Sequence, residues 1–365
     1  MSEIVFILGA GASKASGAPL MAEFLTVAEE LRKREDLGDF EKDFDLVFEA
    51  ISHLQVVHSK ADLDLDNIES VFAAFEMGRL IGNLPGHSSV DFKSLSASMR
   101  RLISKTLERT VRFRFMHGRI FPLGFYDKFV QLIKELNKAA NESKSSVITF
   151  NYDVALDAAL DSYDIPPDYC LSEETNLKSI HLLKLHGSLN WVGCAKCGDI
   201  IPWTIGEFVE GGHLPFSGEG QGGFIEFATK LPGSGLKHCG QSVMPNPIII
   251  PPTWNKTEYH STLSNIWRHA AKELSEAENI IILGYSLPDT DLFFKYFFAL
   301  GSVGRSRVKR FWVYNPDSSI EPKFQKLLGP GITASKAKEK FKFSNVPFNN
   351  AIADLTKQLL GRDWI

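Results

Sequence analysis

Cysteine is scarce: four residues in 365, Cys170, Cys194, Cys197 and Cys239. So few in so long a chain argue against a disulfide-built scaffold and make a reducing cytoplasm the expected compartment. No apolar run reaches the length of a membrane span. The first residues lack the basic stretch and cleavage site of a secretory leader, and their apolar run, Ile4–Leu8, is short and followed by glycine. Internal repeats and low-complexity tails are absent. Neither charge dominates: 40 Lys and Arg face 44 Asp and Glu, a net charge of −4, which argues against a broad nucleic-acid face. One local exception is the basic set Arg100, Arg101, Lys105, Arg109, Arg112, Arg114 and Arg119. It reads as a solvated helix face, with an anion or partner surface as the alternative.

What is present begins at Ile4. The run Ile4–Leu8 ends abruptly in Gly9-Ala10-Gly11-Ala12-Ser13, and a helix-competent segment, Leu20–Arg34, follows. A buried strand, a glycine turn and a helix make a phosphate site when bare backbone N–H groups and the helix dipole face an anion. Ala10 and Ala12 are small enough to let backbone approach a ligand. The spacing is G-x-G-x-S rather than the full G-x-G-x-x-G fingerprint.

From residue 36 to 121 apolar residues recur three and four apart, over Phe40–His53, Leu63–Leu80 and Phe92–Phe115. No strand-like run interrupts this stretch, which reads as a helical insertion. Phe125–Asn137 is an amphipathic helix. Five short β-rich runs then end in polar residues. Ser146–Phe150 leads to Asn151-Tyr152-Asp153, and Ile180–Leu185 to His186-Gly187-Ser188. Ile248–Ile250 leads to Pro251-Pro252, Asn279–Leu283 to Gly284-Tyr285-Ser286, and Val308–Tyr314 to Asn315-Pro316-Asp317. Helical segments at Val154–Leu160, Tyr259–Glu276 and Leu292–Leu300 lie between several of them. Apolar strands alternating with helices predict an α/β fold, a Rossmann-like parallel sheet with helices on both faces. Ligands bind at the carboxyl ends of such strands. The expected division is a Rossmann-like domain over 1–35, 122–190 and 246–365, the helical insertion, and a small Cys/Gly-rich module over 191–245.

Read in order, the strand ends resemble the sirtuin family. Its glycine-alanine-glycine-alanine-serine turn is matched by Gly9–Ser13, and its threonine-glutamine-asparagine-isoleucine-aspartate motif by Thr149-Phe150-Asn151-Tyr152-Asp153. Its histidine-glycine pair matches His186-Gly187, its glycine-threonine-serine turn is similar to Gly284-Tyr285-Ser286, and its ribose-contacting asparagine resembles Asn315. Phe-Asn-Tyr-Asp, Leu-His-Gly-Ser and Gly-Tyr-Ser-Leu-Pro-Asp-Thr-Asp look closest to the bacterial antiphage-defence branch, known as NAD hydrolases. Two departures from the deacylases agree with that branch. Leu20-Met21-Ala22 stands where they carry aspartate-phenylalanine-arginine. Pro251 and Pro252, which cannot donate ladder hydrogen bonds, stand where they pair with an acyl-lysine peptide.

The resemblance implies NAD as substrate, bound by Gly9, Ala10, Gly11, Ala12, Ser13, Thr149, Asp153, Gly284, Tyr285, Ser286 and Asn315. Asn151 would orient water or a ribose hydroxyl, and His186, titrating near neutrality, would act as base. Asp153 would accept from the nicotinamide amide, although an Asn-x-Asp after a strand also serves as a turn or helix cap. Asp289 and Asp291 read as helix caps. The implied activity is NAD glycohydrolysis by a gated antiphage effector that depletes NAD when activated, with NAD-dependent deacylation or non-catalytic NAD or ADP-ribose sensing as alternatives. The helical insertion would serve self-association into a homo-oligomer or docking of a partner, such as a HerA-like ATPase or an Argonaute. Neither membrane attachment nor direct nucleic-acid binding is expected. Cys194-Ala195-Lys196-Cys197 has a zinc-pair spacing. Cys239 resembles a third ligand, and the family position of a fourth holds Leu236, leaving His238, His213 or Cys170 as substitutes. The other reading of these cysteines is small apolar packing in a module that has lost its ion.

Overall fold

The computed structural model describes residues 3–34, 37–55, 63–84, 92–116, 119–138, 145–176, 178–205, 224–225, 237–244, 246–250, 257–288, 292–301, 308–329 and 340–361. Six short strands form the central sheet: β1 Ile4–Leu8, β2 Ser145–Thr149, β3 His181–Lys184, β4 Asn279–Leu283, β5 Arg310–Tyr314 and β6 Phe341–Ser344. Sequences such as IVFIL and NIIIL suit them because a parallel strand buried on both faces has no polar side to show. The order is β3-β2-β1-β4-β5-β6 and every pairing is parallel. The chain thus begins in the middle and winds outward both ways, which places the topological switch point between β1 and β4.

Successive side chains on these strands enter different cores. Phe6, Leu8, Val147, Leu182, Ile281 and Leu283 share one apolar cluster with the helices Tyr126–Asn137, Ala155–Ser162 and Phe348–Leu360. Val5, Ile7, Ile148, Leu183, Ile280 and Ile282 share the other with Thr257–Glu276 and Leu292–Gly301. The predicted α/β sheet with helices on both faces is therefore observed. β6 and the helix Phe348–Leu360 were not anticipated. The strand is half-buried along its length, which hides its pattern, but Phe348, Ala351, Ile352 and Leu355 form a legible helical stripe.

Two other expectations fail. Ile248–Ile249 is not a strand of the parallel sheet; it pairs antiparallel with Gly187–Ser188. The helical segment does contain helices, at Glu41–Leu54, Ile68–Ile81 and Phe92–Thr110, but the last stops short of Phe115. Phe113–Met116 instead folds back on Arg119–Pro122 as a hairpin, and Phe224–Ile225 of the Gly-rich stretch adds a third strand. Val111-Arg112-Phe113-Arg114-Phe115 alternates with period two, so the chain leaves the helix where the pattern changes. Asn67 sets the start of its helix by accepting from the Glu69 amide at 2.9 Å. The helical segment keeps no separate core: Phe44, Val47, Phe72 and Leu102 belong to the same cluster as Phe6. Within the basic set, Arg101 is paired to Asp43, Lys105 lies 3.7 Å from Glu108 and Arg119 lies 2.9 Å from Asp164. Arg101 and Lys105 are thus largely covered and paired within the fold, while Arg112, Arg114 and Arg119 stay exposed, as a solvated face requires. Among the described residues no helix is long and apolar enough to cross a membrane.

The register Leu8↔Leu283 sets the turn after β1 directly against the turn after β4. Gly9 N donates to Leu283 O at 3.1 Å and Gly11 N to Gly284 O at 3.0 Å. Gly284 has φ +64°, and a Cβ there would lie 2.6 Å from Ala12 N. Gly284→Ala combines left-handed strain with a backbone collision that no side-chain movement relieves. We expect a loss of about 2–4 kcal/mol, read from urea midpoints; an unchanged midpoint would disprove the interlock.

Candidate active site at the strand ends

Asn151 is the hub of the site. It follows β2, and its Nδ2 lies 3.0 Å from Gly9 O, 2.9 Å from Ser13 Oγ and 3.4 Å from Tyr126 OH. One amide group thereby ties the β2 end to the turn after β1. Ser13 Oγ and Tyr126 OH are 2.8 Å apart. Thr149 Oγ1 donates to Leu8 O and accepts from Asn151 N, so this residue joins the same two strands. Tyr126 was not singled out in the sequence, where it reads as one more apolar position on an amphipathic helix. Burial, then the nearby Asp153, hold its hydroxyl far above the ordinary range, so it stays protonated.

The amides of the first turn are not bare. Those of Gly9 and Gly11 are engaged across the interlock, and Ala12 N donates to Gly9 O at 3.0 Å. The room left by Gly9 is filled by the Tyr285 backbone. Ala10 and Gly11 are half-buried at the rim, while Ala12 and Ser13 are buried.

Asp153 makes the turn rather than the cap: Oδ1 accepts from Ala155 N at 3.0 Å, while Val154 is the N-cap of the helix Ala155–Ser162. Burial pushes the Asp153 carboxyl up, against the pull of Lys184. Lys184 is a buried cation at the end of β3, and the sequence reading passed over it. Its Nζ donates to Asp153 O at 2.7 Å and pairs with Asp157 Oδ2 at 3.0 Å. Tyr169 OH donates to the other Asp157 oxygen at 2.6 Å. A charged floor of this kind leaves a costly orphan when one partner is lost.

His186 is buried, its ring 5.1 Å edge-on from Phe150 and 6.0 Å from Tyr152. Its carbonyl accepts from Ile250 N at 2.8 Å, and Tyr152 OH donates to Ile250 O at 3.0 Å. Phe150 stacks on Tyr285 at 4.5 Å, and Phe294 closes the set edge-on. Tyr285, expected at the ligand, thus packs its ring in the core, while Gly284 is half-buried and Ser286 exposed. The carboxamide of Asn315 donates to Tyr285 O at 3.3 Å and accepts from Asp317 N at 2.9 Å. It ties the β5 end to the turn after β4. The ends of β1, β2, β3, β4 and β5 therefore meet in one continuous set of contacts. Pro251, Pro252, Asp289 and Asp291 lie outside the described residues. A cavity of about 980 Å³ lies elsewhere, lined by Asp168, Ile201, His238 and Asn265 among others.

Cys194, Cys197, His238 and Cys239 place their ligand atoms within 4.8 Å of one another. Cys197 Sγ and Cys239 Sγ each lie 3.4 Å from His238 Nδ1. A tetrahedral zinc ion sets such S···N edges at about 3.6 Å, so the donor set fits zinc with His238 as the fourth ligand. The Cys197 backbone N–H, then His238, bring the Cys194 thiol down to about 6, near the thiolate form a metal needs. Cys170 is not part of this group; it clusters with Asp168 and His181. His213 and Leu236 lie outside the described residues.

No family model matches the sequence, and no curated protein matches it significantly. Solved structures do match over nearly the whole chain. A complex of a Sir2 homologue with NAD is 13% identical, covering 98% of this chain and 89% of its own, with a TM-score of 0.42. A structure concerned with the mechanism and regulation of Sir2 enzymes is 15% identical, covering 98% and 92%, at 0.41. Sir2 bound to an inhibitor, 2′-O-acetyl-ADP-ribose and a deacetylated peptide is 14% identical, covering 97% and 93%, at 0.38.

Two outcomes are expected. Lys184→Met leaves Asp157 buried without its cation and costs about 3–5 kcal/mol, measured by chemical denaturation. Cys194→Ser with Cys197→Ser removes one zinc equivalent per chain, counted by elemental analysis of purified protein.

Proposed function

We propose that the chain cleaves the N-glycosidic bond of NAD, releasing nicotinamide and ADP-ribose. The observation that carries this is the single Asn151 amide bridging Gly9 and Ser13 at the switch point of a 3-2-1-4-5-6 parallel sheet. The motifs at the five strand ends, in the order in which sirtuins carry them, support NAD as the dinucleotide.

The bond to be broken needs little acid assistance, because nicotinamide leaves as a neutral group from a cationic ring. The transition state resembles an oxocarbenium ion, so the protein supplies position and dipoles. Ala10 and Gly11 meet the pyrophosphate at the rim, Ser286 faces the adenosine half, and Asn315 holds the turn that carries Ser286. Asn151 orients a ribose hydroxyl or water. His186 takes its proton, and Asp153 receives the nicotinamide amide. The sheet unit over 1–35, 122–190 and 246–365 carries the chemistry. The helical insertion over 36–121 gates it by self-association or by docking a partner such as a HerA-like ATPase or an Argonaute. The 191–245 module holds zinc. Such gating suits an antiphage effector acting on a cytoplasmic NAD pool, because unrestrained loss of NAD kills a cell.

The test is incubation of purified protein with NAD, with and without its genomic neighbour and an acyl-lysine peptide, and identification of the products by mass spectrometry. We expect nicotinamide and ADP-ribose without any peptide. His186→Ala lowers the rate by about 10²-fold or more with an unchanged circular dichroism spectrum, and Asn151→Ala does so while loosening the first turn. Release that needs the peptide would make the chain a deacylase. NAD bound tightly and left intact would make it a sensor.

A further inference from the structure

At the other end of β3 from His186, three side chains of different donor type converge. Asp168, Cys170 and His181 each bring a ligand atom within 4.8 Å of the others. Cys170 and His181 are buried, and the Asp168 backbone is bridged to His181 in parallel register. We propose that this triad is a second metal site, distinct from the Cys194 group, that takes a zinc-class divalent cation.

The surroundings of the triad support it. His181 is 8% exposed, yet its Nε2 has no hydrogen-bond partner among the described residues. A buried ring nitrogen left unsatisfied is a cost that a metal ion removes. Its Nδ1 lies 2.7 Å from Glu273 of the helix Thr257–Glu276. A carboxylate on one ring nitrogen fixes the tautomer and frees the other nitrogen for a metal, the arrangement found behind most metal-bound histidines.

The remaining ligands are as firmly held. The Asp168 carboxylate accepts from Cys170 N at 2.8 Å and from Asn176 N at 2.6 Å. Its main chain is fixed by Asp168 N to Ile180 O at 2.9 Å and Leu182 N to Asp168 O at 2.8 Å. Cys170 sits at φ +54°, a strained setting for a residue with a Cβ, and the loop maintains it. Finally, Asp168, but neither Cys170 nor His181, lines the cavity of about 980 Å³, so solvent approaches the triad from the Asp168 side.

One thiolate, one imidazole and one carboxylate form a borderline donor set, suited to zinc or to cobalt as its spectroscopic substitute, and unsuited to magnesium or calcium. On binding, the Cys170 S–H bond is exchanged for a metal–sulfur bond and the proton leaves to solvent. The ion would staple the segment before β3 to the strand and, through Glu273, to the helix behind it. The site is independent of the proposed NAD chemistry.

The experiment is cobalt(II) titration of the full chain, followed by optical spectroscopy. Wild type is expected to bind two equivalents, and Cys170→Ser one. The Cys194→Ser, Cys197→Ser variant retains one equivalent with the charge-transfer band of a single thiolate. Glu273→Gln weakens that binding by about 10–100-fold. Zinc-edge X-ray absorption of the Cys194→Ser, Cys197→Ser protein should show one sulfur with nitrogen and oxygen neighbours, a reading that survives if Cys170→Ser fails to fold. One equivalent in wild type that vanishes with Cys194 and Cys197 overturns the proposal. Cobalt bound without a thiolate band in that variant also overturns it.

Discussion

The architecture depends on the close approach of two backbone turns, Gly9–Ala12 after β1 and Gly284–Tyr285 after β4. A Cβ at Gly9, Gly11 or Gly284 would hold the central strands apart at their carboxyl ends. Because the turns touch, Tyr285 can stack on Phe150, Phe150 can meet His186, and Asn315 can reach the Tyr285 carbonyl. The polar residues of five strands then share one edge. Its side chains are held by one another, and prior ordering of that kind lowers the cost of binding wherever a ligand is taken.

This interlock changes what the glycines of the first turn mean. In the sequence they look like space for a phosphate. In the fold, Gly9 makes space for protein, and the two glycine amides of the turn donate to the carbonyls of Leu283, the last residue of β4, and Gly284, the first beyond it. What these turns leave accessible is Ala10 and Gly11, half-buried, and Ser286, exposed.

The sheet was legible because parallel strands buried on both faces leave plain apolar runs; β1 and β4 match their predicted spans, and β2, β3 and β5 lie within a residue or two of theirs. β6 was not legible, since an edge strand with half-buried residues has no such run. The hairpin at Phe113–Pro122 was obscured by the long helix before it. Ile248–Ile249 has strand composition, but composition does not say which sheet a strand joins. Of the site, the strand-end residues were legible because turns follow strands. Tyr126 and Lys184 were not, because a hydroxyl on an amphipathic helix and a lysine in a strand usually face water. The fourth ligand of the Cys194 group was one of three candidates in sequence, and the β-hairpin carrying His238 and Cys239 selects it. His181 and Glu273 lie 92 positions apart, and nothing local links them.

Tyr126 has a double attachment. Its ring lies in the apolar cluster that runs without a break from the sheet through Phe24 and Phe44 to Phe72, packed edge-on against Phe348. Its hydroxyl meets Ser13 and Asn151. Close-packed interiors compress little and pass strain along. A load applied to the outer helices is therefore transmitted to the strand-end amide through one shared apolar cluster, with little slack between the place where force enters and the atoms it would realign.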